Sequence, residues 1–94
     1  MNENVINLFG NHLADLIKKP AIACKGLIRF SIKEYFKTNG HEESKQVSHS
    51  DFLEILRINI RDRLIMANIP DINDILMRLE TIVNIEQAIF SMTT

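Results

Sequence analysis

Helix-breaking residues are scarce in this chain, and that scarcity limits what it can fold into. Three glycines and two prolines are all it has in 94 residues. Three of the five, Pro20, Gly40 and Pro70, divide the sequence into four long stretches. Glycine and proline are the strongest local interrupters of regular structure, so four uninterrupted stretches predict four long elements.

Within those stretches apolar residues recur at helical spacing. The first helix is expected over about 3–18, with Val5, Ile6, Phe9, Leu13, Leu16 and Ile17 on one stripe. Asn2 or Asn4 can cap it, because an Asn side chain accepts from free N–H groups of the first turn. Gly10 is a weak point in its middle. The second helix runs from about 20 to 38. Pro20 suits its first turn, and Asn39-Gly40 suits its C-terminal cap. The polar stretch 39–49 predicts a mobile loop. A third helix over about 50–68 starts at Ser48 or Ser50. Asp51 and Glu54 stand in its first turns, where the helix dipole favours acids. The fourth, over about 71–90, carries Ile72, Leu76, Leu79, Val83 and Phe90 in alternating steps of four and three, with Glu86 in the remaining slot. Brief strand-like alternation occurs at Ile28-Phe30-Ile32 and Ile58-Ile60, but the helical pattern continues on either side of each. The reading is one all-α domain, a small four-helix bundle-like fold.

Composition narrows the function classes. Apolar residues make up 46% of the chain, too many for a disordered protein. The formal charge of −1 argues against coating nucleic acid by bulk charge. Cys24 is the only cysteine, so no internal disulfide is expected and its apolar neighbours make it a small buried hydrophobe. The spacings of Cys24, His12, His41 and His49 match no metal-ligand pattern, and no cofactor is expected. The N-terminus lacks the basic and apolar regions of a signal peptide. No uncharged apolar run approaches the ~20 residues that span a bilayer. These features predict a soluble protein of a reducing cytoplasm. Abundant Ile, Asn and Lys suggest an AT-rich bacterial or phage genome.

The second helix raises the functional question. Lys25, Arg29, Lys33 and Lys37 recur at every fourth position. On a helical wheel Ala21, Cys24, Ile28, Ile32 and Tyr35 form a core stripe, and the basic residues fill an adjoining arc of about 120°. Ile22 and Phe36 point into that same arc, while Ala23, Leu27 and Phe30 make a second apolar patch. The third helix also has two apolar faces: Phe52, Leu53, Leu56, Ile60 and Leu64 on one, Ile55, Ile58, Ile65, Met66 and Ile69 on the other. Arg57 and Arg61 lie along the edge between them. This is more apolar surface than a thin core of this size hides, which predicts a homodimer. Glu86 either reaches water at the helix end or pairs with Arg57, Arg61 or Arg63 to set register.

These features predict a small non-enzymatic protein-binding module: an inhibitor, immunity factor, adaptor or assembly subunit. Lys25, Arg29, Lys33, Phe36, Lys37, Arg57 and Arg61 are the expected contact residues, meeting a partner with an acidic surface. The alternative is a dimeric nucleic-acid-binding regulator that uses the Lys25, Arg29, Lys33 and Lys37 stripe on phosphates. His41 and His49 with Glu42, Glu43 and Asp51 are the nearest approach to acid–base groups. They fall in a loop without an apolar pocket, whereas catalysis needs preorganised groups, so no enzymatic activity is expected. A membrane role is not expected, because the apolar residues spread too widely around the wheel for an interfacial helix.

Overall fold

Each expected break coincides with the end of a helix. The computed structural model describes residues 2–40 and 45–90, and every regular element among them is helical. Helix α1 spans Glu3–Ile17 and α2 spans Ala21–Thr38. Helix α3 is one continuous rod over 49–66, built from His49–Ile55, a π-helical turn Leu56–Ile60 and Arg61–Met66. Helix α4 spans Ile72–Ile85, and a 3-10 turn Gln87–Phe90 follows it.

The ends have identifiable causes. Lys18 takes the left-handed conformation at φ 58°, and its N–H bonds the Ala14 carbonyl to close α1. Pro20 immediately precedes α2 in an extended conformation. Ser48 and Asp51 form a reciprocal capping box on α3: the Ser48 hydroxyl accepts from the Asp51 N–H at 3.1 Å, and the Asp51 carboxylate accepts from the Ser48 N–H. His49, expected in a loop, is the first residue of that helix. His41, Glu42 and Glu43 of the expected loop lie in 41–44, outside the described residues.

Contacts between elements give the topology. Glu3 meets Arg29 and Gly10 lies against Lys25, so α1 and α2 run antiparallel. Tyr35 meets Glu54 and Phe30 meets Arg63, so α3 is antiparallel to α2. His49 meets Asn84 and Arg57 meets Glu80, which sets α4 antiparallel to α3. Phe9 stacks near Phe90, bringing the end of α4 back beside α1. The result is an up-down-up-down arrangement of four helices around one core. At one end Phe9, Phe52 and Phe90 form an aromatic cluster with centroids 4.6 to 6.1 Å apart, edged by His49. Below it lie Leu13, Ile28, Leu56, Ile60 and Leu79, all fully buried.

Several expectations are corrected. The Asn2 side chain makes no cap bond on α1. It is buried, donates to the Lys45 carbonyl at 2.9 Å and accepts from the Val47 N–H at 2.8 Å. One side-chain amide thus satisfies two backbone groups of the incoming segment, and Val47 packs fully buried beside it. Gly10 permits close approach: a Cβ there would stand 2.9 Å from the Lys25 Cα. Helix α4 stops at Ile85, and Glu86 is the exposed residue at its C-terminal end. Of its three suggested partners, Arg57 pairs with Glu80 and Arg63 with Glu34. Among the described residues no helix is long and apolar enough to cross a membrane.

Candidate functional site

The expected basic surface divides when the chain folds. Lys25 lies half-buried along α1. Arg29 reaches Glu3 at 3.4 Å, tying α2 to α1. Lys33 and Lys37 stand exposed, with no acidic partner among the described residues. Phe36 is not on this surface at all. It is 0% exposed and packs against Tyr35 with ring centroids 5.7 Å apart. Arg57 faces the opposite direction, paired with Glu80 of α4 at 2.7 Å, and Arg61 is exposed on α3. Of the expected apolar members of the arc, Ile22 alone remains open, at 86% exposure.

A different constellation forms on the outer side of α2 and α3. Its anchor is Glu34, the sole acid in the basic stretch of α2. Glu34 accepts from Asn59 Nδ2 at 3.2 Å and from Arg63 Nη2 at 3.4 Å. The Arg63 guanidinium lies 3.8 Å from the centroid of the Phe30 ring, within the range of a cation–π contact. Phe30 itself is 48% exposed. So an aromatic ring and a guanidinium are held in a fixed mutual arrangement at the surface, with a carboxylate holding the guanidinium from behind. Exposed Ile58 and Met66 flank them on α3, and exposed Ala23 extends the apolar strip along α2.

Backbone geometry explains why Ile58 and Asn59 sit as they do. The π-helical turn Leu56–Ile60 adds about one residue to a turn of α3, and such turns recur at functional positions. It carries Ile58 outward and tucks Asn59 in at 8% exposure. Asn59 Nδ2 points at Glu34, which sets the amide orientation. Its Oδ1 is then left buried without a partner. A buried polar atom in that state costs about 1–3 kcal/mol, so the position is not optimised for stability alone.

The residue after Glu34 anchors a second polar knot. The Tyr35 hydroxyl stands between Asp51 Oδ1, at 3.2 Å, and Glu54 Oε2. Its pKa is pushed well above the ordinary phenol value, first by the hydrogen bond to Glu54, then by burial and by the charges of Asp51 and Glu54. Burial also pushes the Cys24 thiol up, as for an inert core cysteine. Among the described residues no three His, Cys, Asp or Glu side chains converge as metal ligands.

At the far end of the bundle the α1–α2 and α3–α4 turns enclose a cleft of about 510 Å³. Lys18, Asn68 and Asp71 line it, and these are the only non-glycine residues with positive φ among those described. Each sits at a helix end, so the cleft follows from how the helices terminate.

Sequence reasoning named Phe30 as part of an apolar patch but missed Glu34, Asn59 and Arg63. The available signal was the lone acid of the basic stretch, four residues after an exposed aromatic, with Asn59 and Arg63 likewise four apart on the antiparallel neighbour. The chain matches no protein-family model, no curated protein and no solved structure.

Proposed function

We propose that this chain is a small non-enzymatic protein-binding module that docks through the outer α2–α3 face. The observation carrying this reading is the Phe30–Arg63 pair, half-exposed, pre-ordered by Glu34 and bordered by exposed Ile58 and Met66. Aromatic and arginine residues dominate the binding energy of protein interfaces. A side chain already held in one arrangement loses less entropy on docking. Lysines along the outer edge of α2 form a rim around the apolar centre, which is the usual layout of a contact surface.

The nucleic-acid reading draws support from exposed Lys33 and Lys37. It is weakened by the engagement of Arg29 and Arg57 in ion pairs on separate faces. A photo-crosslinking residue placed at Met66 separates the two, with Ile85 on α4 as the control position. Irradiation in extract of the native cells is expected to give a protein adduct from position 66 and none from 85. Adducts with nucleic acid, or equal labelling at both positions, would refute the docking assignment.

A further inference from the structure

We infer that the occupant of the α2–α3 face is a second copy of this chain, with α2 of each copy lying over α3 of the other about a two-fold axis parallel to the helices. The inference rests on the docking reading above and names the partner. Its basis is the self-complementary charge layout of the face. The α2 side carries exposed Lys33 and Lys37, and the α3 side carries exposed Glu54 and Asp62. Exposed Phe30 stands on the α2 side and exposed Ile58 and Met66 on the α3 side, Ile58 one turn from each acid.

Position along the helices matches these charges as well as sign does. Phe30 is level with Arg63, since the guanidinium covers its ring. Asp62 is therefore level with position 31, two residues or about 3 Å from Lys33. In the same antiparallel register Glu54, eight residues before Asp62, is level with about position 39, again about 3 Å from Lys37. A two-fold axis parallel to the helices exchanges the α2 and α3 sides without moving anything along the axis. It brings Lys33 opposite the partner copy's Asp62, and Lys37 opposite its Glu54. By symmetry each pair occurs twice. The same operation lays the Phe30, Ile58 and Met66 side chains of the two copies against each other.

Size sets the expected strength. Helix α2 has 18 residues, about 27 Å of length. Two helices about 10 Å apart give a footprint roughly 20 Å wide. The product, about 540 Å² per copy, is below the ~800 Å² per partner of standard stable interfaces. The dimer is therefore transient, dissociating at micromolar concentration or above, and sensitive to salt because its charged pairs lie at the rim.

Sedimentation of the purified full chain from low micromolar to millimolar concentration tests this. Concentration-dependent dimerisation is expected, weakened by added salt. Lys33→Glu and Asp62→Lys should each weaken it by about tenfold, since each reversal changes two symmetry-related pairs. The combined Lys33→Glu/Asp62→Lys chain should recover association to within about threefold of the parent, because opposite charges again face each other. Circular dichroism of each variant checks that the monomer stays folded, and all these positions are exposed. A chain monomeric throughout overturns the inference. So does a dimer indifferent to the single reversals, or one that the double reversal fails to restore. If the chain stays monomeric while the crosslinker at Met66 captures a different protein, the second copy is excluded and the docking reading stands. Neither self-association nor capture sinks both.

Discussion

Tyr35 offers an internal reporter, because it is the chain's only tyrosine and there is no tryptophan. Its hydroxyl has one proton and two carboxylate neighbours, Asp51 and Glu54. Removing that proton would set a phenolate against two anions at the rim of a packed core, and the pKa is raised accordingly, with the Glu54 hydrogen bond as the main cause. An ordinary tyrosine is half ionised near pH 10, and an upward shift of even one unit leaves about a tenth ionised there. Near-ultraviolet absorbance of the phenolate, followed alongside circular dichroism, measures this directly. Because the folded phenol holds its proton more tightly than the unfolded one, its stabilisation is fully present below the ordinary phenol range. It is lost as pH climbs from there through the raised folded value. Phenolate absorbance should therefore stay low at pH 10 and rise only as helicity falls, the two transitions coinciding. Glu54→Gln removes the largest cause and should bring ionisation to lower pH while the helices remain formed. Tyr35→Phe should cost about 1.5 kcal/mol, the low end for a hydrogen bond to a charged acceptor. Ordinary ionisation of Tyr35 with full helicity retained, or a Glu54→Gln titration identical to the parent's, would refute the shared-proton arrangement.

The two mid-helix glycines should respond oppositely to alanine. At Gly10 the new Cβ stands 2.9 Å from the Lys25 Cα, and overpacking of about 1–3 kcal/mol outweighs the ~1 kcal/mol gain in helix propensity. Gly26 has nothing within 4 Å, so Gly26→Ala should stabilise by up to ~1 kcal/mol, raising Tm by several degrees in a domain of this size. Asn2→Ala strips two hydrogen bonds from the Lys45–Val47 segment and should cost about 2 kcal/mol, with hydrogen exchange at the Val47 amide accelerated ahead of that in α2. Lys18→Gly relieves a left-handed conformation at φ 58° and should stabilise by about 1 kcal/mol in chemical denaturation.

The helices were legible because their evidence is local. Pro20, Gly40 and Pro70 stop the chain by their own geometry, and the buried stripe Cys24, Ile28, Ile32 and Tyr35 follows from spacing alone. The contact surface was harder to read because a wheel for one helix cannot say which arcs its neighbours cover. Lys25, Arg29, Lys33 and Lys37 marked an arc as wet, and Phe36 was placed with them. Helix α1, however, approaches that side closely through Gly10, so Lys25 lies along α1 and Phe36 is sealed. Asn2 shows the same limit. Its position before α1 was visible, but its bonds go to residues more than forty positions away.

Helix α3 holds its core face by a change in backbone geometry. Phe52, Leu56, Ile60 and Leu64 are spaced by four throughout and all are fully buried. In a regular α-helix each such step drifts about 40°, so three steps would swing Leu64 roughly 120° away from Phe52. Underwinding the middle of the rod reduces that drift and holds the four closer to one line. The π-helical turn at Leu56–Ile60 supplies that underwinding. Apolar Ile55, Ile58, Ile65 and Ile69 compete for the same helix with a different period, and the rod buries Ile55 while leaving Ile58 55% exposed. Spacing by itself does not mark the turn, since Cys24, Ile28, Ile32 and Phe36 are spaced and buried alike in the regular helix α2. The turn that keeps the core in register is also what sends Ile58 out beside Phe30 and Arg63, so packing demand and the exposed face have one origin.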